Sequence, residues 1–158
     1  MYLDQEKFSR QPKQGRRFRK KQERGNAVIE VSLLAPWILF LLVGVLDFGF
    51  YSYAAITTEN AARIAAQYGA AGDSTAGDSA GACPYVVQEA LALPGINSSM
   101  NCQSLPLVVT VTPVTGPDGT AASLASVTYQ TMPMIPIPGI LQGQLTLTRS
   151  VEMKVRNY

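Results

Sequence analysis

Residues 27–56 read AVIEVSLLAPWILFLLVGVLDFGFYSYAAI, a run of thirty whose only charged side chains are Glu30 and Asp47. The sixteen residues between those two acids fall a little short of a span, but with their flanks they reach the ~20 needed to cross a bilayer. The run predicts a single membrane helix. Pro36 costs about 3 kcal/mol inside a water-exposed helix but is better tolerated in a membrane one, where neighbouring groups satisfy the freed carbonyl. A local kink over residues 32–36 is expected. Tyr51 and Tyr53, past Asp47, suit the outer interface, where amphipathic rings collect. Asp47 is expected at the outer edge of the span, with its charge reaching water or a basic group.

Charge orients this helix. The net +2 of the 158-residue chain divides into +6 for residues 1–25, which hold nine of the thirteen Lys and Arg, and −4 for the remainder. A basic tail can serve nucleic acid, but this one abuts an apolar run, and Lys/Arg there is the cytoplasmic retention signal of membrane topology. The reading is therefore a basic cytoplasmic leader (1–25), a transmembrane and projecting helix (26–70) and a small periplasmic domain (71–158), with the inner membrane as a partner and no nucleic acid.

Past the membrane run, TTENAARIAAQYGAA places Ala61, Ile64, Ala65 and Tyr68 on one helical face, so the helix continues towards Tyr68. Gly69, Gly72, Asp73, Ser74, Gly77 and Asp78 form a stop and a flexible connection. Cys83 and Cys102 bracket PYVVQEALAL, a short helix with Pro84 in its first turn. A Cys83–Cys102 disulfide would close a loop of about twenty residues, stabilise a small core by roughly 3 kcal/mol and need an oxidising compartment. The alternative is two buried free thiols.

Three segments alternate as strands do: residues 105–112, with Leu105, Leu107, Val109 and Val111 on one face; 123–132, with Val127, Tyr129 and Thr131; and 145–155, with Leu145, Leu147, Val151, Met153 and Val155, interrupted by Arg149. Pro117-Asp118-Gly119 marks a hairpin turn between the first two. Pro133, Pro136 and Pro138 make MPMIPIPGI a connecting loop, read as a lid over one end of the sheet or, alternatively, as a partner-docking surface. The expected fold class is α+β: a long N-terminal transmembrane helix followed by a small antiparallel-sheet domain of three or four strands.

The functional signal lies where leader meets helix. No small-x-small cleavage site follows the apolar run as it would in a secretory signal. Instead Gly25 follows Arg24, and Glu30 is the fifth residue after Gly25, an arrangement that resembles the type IV prepilin processing site. That resemblance implies cleavage after Gly25 by a prepilin peptidase, a new N-terminus at Asn26, and a role for Glu30 in pairing with a neighbouring subunit's terminal amine during assembly. A carboxylate near the bilayer centre costs about 2.5–3.5 kcal/mol and seeks a cation. Alternatively, Glu30 only sits in the first helical turn, favoured by the macrodipole.

The order Glu30, Pro36, LVGVLDFG with Asp47, then NAARIAAQYGA resembles the N-terminal module of TadE-like proteins of tight-adherence (Flp) pilus systems, and LTLTRSVEMKV is similar to the family's closing strand. Val31 departs from it, standing where the group usually has an aromatic, and the leader is long. The resemblance implies a pilin-like minor pilin or pseudopilin, partnered by other pilin subunits and the pilus assembly machinery and used for surface attachment.

Two rivals come from other classes. Arg16 and Arg17 could begin a twin-arginine signal for an exported periplasmic binding or enzymatic domain, but Phe18 and further charges fit that motif badly. A membrane-anchored enzyme would need acids such as Asp73, Asp78 and Glu89, which read better as loop solvation and helix surface. With no histidine and two cysteines, no catalytic, metal-binding or cofactor-binding residues are expected.

Overall fold

The computed structural model describes residues 19–133 and 143–156. The chain divides into two compact units, Met1–Val43 and Gly44–Tyr158. Most of the expected loop MPMIPIPGI, including Met134, Ile135, Ile137 and Ile140, lies outside the described residues, as does Leu141 after it.

The first helix, α1, runs Arg19–Gly69. It starts before Gly25 because Lys20, Lys21, Gln22, Glu23 and Arg24 are all sound helix formers and one glycine costs only about 1 kcal/mol. Pro36 lies inside it. Its missing N–H frees the Ser32 carbonyl, while the Ser32 hydroxyl donates back to the Val28 carbonyl at 2.8 Å. In the first unit every described side chain up to Leu42 is exposed, Leu33 at 68 % and Trp37 at 69 %. With a mean hydropathy of 2.3 over its most apolar window, the helix is long and apolar enough to cross a membrane.

In the second unit α1 changes character. Asp47, Tyr51, Ala54, Thr58, Ala61 and Ala65 recur at alternating four- and three-residue steps and are all buried. Of the expected face, Ala61 and Ala65 are fully enclosed whereas Ile64 and Tyr68 are half-buried; Ala62 and Ala66 complete the stripe. Small side chains let the helix lie close. At its end a Cβ on Gly69 would collide with the Ser123 hydroxyl and the Val111 side chain.

Helix α2 covers Ser79–Ala90 and buries Ala82, Cys83, Val86, Val87 and Ala90. Pro84 is interior to it, not in its first turn. The helix starts earlier than its proline indicated because Asp78 caps it, accepting from the Gly81 N–H at 2.8 Å. The carbonyl that Pro84 leaves free belongs to Ala80, which is exposed and can take water.

Four strands follow: β1 Gln103–Ser104, β2 Leu107–Thr115, β3 Ala121–Gln130 and β4 Thr146–Lys154. They form one antiparallel sheet in the order β1-β2-β3-β4. The fold class is α+β. Leu107, Val109 and Val111 of β2 and Ala125, Val127 and Tyr129 of β3 turn one face to the alanines of α1 and the apolar side of α2. Fully buried Tyr129 donates its hydroxyl to the Pro94 carbonyl at 2.9 Å, and burial pushes its phenol up. The third alternating segment is half-buried as expected, with Leu147, Val151 and Met153 against the core.

Strand limits differ from expectation in two places. Leu105 is 51 % exposed and outside β2, in the turn after β1. At the other end β2 runs past Thr112 through Pro113 to Thr115. The pairing explains it: Gln130 donates to the Pro106 carbonyl, so even-numbered residues of β2 face β3 and odd-numbered ones face away. Pro113 therefore loses no ladder bond. The hairpin turn stands at Pro117-Asp118-Gly119, with Gly119 at φ 76° and the Gly116 N–H on the Thr120 carbonyl at 2.8 Å.

Candidate functional site

The residues singled out by sequence fall into three places. Gly25 and Asn26 sit within α1, nearly two turns after its start at Arg19, and Glu30 follows on the same helix with its side chain exposed. Helical rise puts Glu30 about 7.5 Å beyond Gly25 along the axis. Around it Val28, Ile29, Val31, Leu33 and Leu34 are all more than half exposed, so the acid stands among uncovered apolar side chains. Among the described residues no cation pairs with it.

Asp47 is placed differently from the sequence reading. It is 3 % exposed, and its Oδ2 atom has no hydrogen-bond partner among the described residues. The reason is helical phase. Asp47 lies one turn before Tyr51 on the buried stripe, whereas its neighbour Phe48 is 74 % exposed. Tyr51 donates to the Gly143 carbonyl at 3.3 Å, which ties this turn of the helix to the segment entering β4.

Cys83 and Cys102 form a disulfide, their Cα atoms 5.8 Å apart. Cys83 lies on the buried side of α2 and Cys102 immediately before β1, so the bond fastens helix to sheet. The acids once weighed as catalytic are dispersed. Asp78 caps α2 and also accepts from the Tyr68 hydroxyl at 2.9 Å; the Gly81 N–H first and Tyr68 second hold its carboxyl below the usual range. Sequence reasoning had treated it as loop solvation. The missed signal was an Asp three residues before Gly81 and just ahead of the apolar pair Ala82 and Cys83. Among the described residues no three His, Cys, Asp or Glu side chains converge on a metal position.

Residues 25–67 match the family described as TadE-like protein. The match begins at Gly25 and ends within the alanine face, covering Glu30, Pro36 and Asp47. No curated protein and no solved structure gives a significant match to the chain.

Proposed function

We propose, with the TadE-like character of residues 25–67 as the premise, that this protein is a minor pilin or pseudopilin of a Tad (Flp) type IV pilus assembly system, supporting pilus biogenesis and surface attachment. It sits in the bacterial inner membrane as a single span, its N-terminus cytoplasmic and its disulfide-bonded domain periplasmic. Its partners are a prepilin peptidase, other pilin subunits and the assembly machinery. The observation that carries this reading is the order Gly25, Asn26 and Glu30 on α1 where its apolar stretch begins, a stretch whose side chains are exposed on every face as far as Leu42.

The chemistry follows from that placement. Gly25 is the weakest helix former between Arg19 and Asn26, so the bond after it is the easiest in the run to lift out of the helix, and without a side chain it passes close to a catalytic centre. Cleavage creates an amine at Asn26 and leaves Glu30 in the first turns of the new helix, where the macrodipole favours an anion. In lipid that carboxylate gains most by meeting a cation on a neighbouring subunit.

N-terminal sequencing of the membrane-fraction protein tests the first step: the mature chain should begin at Asn26, and Gly25→Leu should accumulate uncleaved. A wild-type N-terminus elsewhere, with normal processing of Gly25→Leu, would sink the assignment. Glu30→Gln separates the second step, because it should be cleaved and remain in the membrane while its crosslinking to partner pilins falls.

A further inference from the structure

The sheet has two edges, and they are finished differently. On the β2 side β1 covers Leu107 and Val108, the Val111 N–H is taken by the Ser79 hydroxyl at 2.8 Å, and Pro113 has no N–H to offer. Ser79 and Pro113 thus close that edge.

Among the described residues no strand pairs with the outer edge of β4. Val155 donates to the Ala121 carbonyl and Leu145 accepts from the Thr131 N–H, so odd-numbered residues of β4 face β3. The even-numbered residues Thr146, Thr148, Ser150, Glu152 and Lys154 point their backbone groups outward, and all five are exposed. Arg156, next in that row, confirms the phase by donating its N–H to the Ala70 carbonyl at 3.0 Å. Where α1 ends against this strand there is a cleft of about 470 Å³ lined by Gln67, Ala70, Ala71, Met153, Lys154 and Arg156.

Charge selects the occupant. Three of the four basic residues beyond Gly25 lie on or next to this edge, Arg149, Lys154 and Arg156, against two acids, Glu152 on the strand and Asp118 beside Lys154. Lys154 pairs with Asp118 at 3.3 Å, while Arg149 and Arg156 have no ion-pair partner among the described residues. Arg149, opposite Val127 in the register, bends to donate to the Thr148 carbonyl at 3.0 Å. A second copy would bring the same positive edge and be repelled; an acidic strand would be attracted.

We propose that the outer edge of β4 is a strand-addition site for an acidic extended segment of a partner protein, held by backbone hydrogen bonds along residues 146–154 and by Arg149, Lys154 and Arg156 at its carboxylates. The test uses the full chain in nanodiscs and a fluorescent peptide matching the nine residues of β4, with alternating Thr and Glu. It should bind saturably and be weakened about tenfold or more by Lys in place of Glu, or by one central Pro that keeps the charge but breaks the strand. On the protein, Ser150→Pro removes an outward N–H and, with the hydroxyl, its bond to the Ser126 hydroxyl at 3.1 Å, and Arg156→Glu inverts a charge without touching the ladder. Each should weaken binding about tenfold or more with the far-ultraviolet spectrum unchanged. Equal binding of the acidic and basic peptides overturns the proposal, as does full affinity for the Pro-broken peptide. Loss with Arg156→Glu but not with Ser150→Pro overturns strand addition, and dimerisation of the chain through β4 without peptide overturns the choice of partner.

Discussion

Two stretches of α1 are both apolar and meet opposite fates. Over residues 28–42 the side chains are large, with Leu41 at 65 % and Phe40 at 52 % exposure, and none is covered by the protein. In the second stretch Ala54, Ala61, Ala62, Ala65 and Ala66 are small and fully enclosed. Bulky side chains all round a helix suit a fluid apolar solvent, which needs no shape match. Small ones on one stripe suit a solid partner, because they allow backbones to approach and leave no void. Apolarity alone is therefore a poor guide to what surrounds a helix; side-chain size and phase tell a membrane stretch from a packed one.

The sharpest way to break this comparison is a charge in the first stretch. Leu41→Arg should disfavour insertion by about 2.5–3.5 kcal/mol, read as a shift of protein from the membrane fraction. The same variant should leave the Cys83–Cys102 bond intact wherever the chain does fold. The opposite dissection removes the disulfide. With a sequence separation of 19, Cys83→Ser with Cys102→Ser should destabilise the domain by roughly 3 kcal/mol, seen in urea unfolding, while membrane partition is unchanged.

Bulk is the third lever. Ala65 is fully buried in the core cluster, so Ala65→Leu should destabilise the domain by about 1–3 kcal/mol through overpacking. A change of comparable volume in the exposed stretch, Val31→Phe, should leave domain stability unaltered. If both variants unfolded alike in urea, the distinction between the stretches would fail.

The same physics explains what the amino-acid order disclosed. The long apolar helix and the alternation of β3 and β4 were legible because each depends on local pattern, and the hairpin turn because Pro117 and Gly119 mark it locally. The disulfide was legible because only two cysteines exist. Asp47 misled because an acid ending an apolar run reads as a membrane edge, while its burial depends on falling in phase with Tyr51 and Ala54. Pro84 misled for a related reason, and β2 ran past its expected end through Pro113. Whether a proline is tolerated depends on which carbonyl or edge it faces, and that is settled by pairing and exposure beyond the local sequence. Gly25, Asn26 and Glu30 were singled out by their order alone, and nothing in helical geometry distinguishes them from other residues of α1.

The smallest effect concerns charge. In the folded domain the Asp118 carboxyl is held at about 2, first by the side-chain hydroxyl of Thr120, then by its N–H and by Lys154. A carboxyl lowered in the folded state stabilises fully above its unfolded value near ~3.9, and that contribution is lost as pH falls towards the folded value. Wild type should therefore melt slightly above Asp118→Asn at pH 6, the gap should narrow below about pH 4, and it should close near pH 2. Because Asp118 and Lys154 are both more than half exposed, solvent keeps the gap small and added salt should shrink it further at pH 6. In the 28–42 stretch the only ionisable group is Glu30, so Asp118→Asn should leave membrane partition untouched across the whole range. A gap that persisted unchanged to pH 2 would show that Asp118 acts through turn geometry and not through its charge.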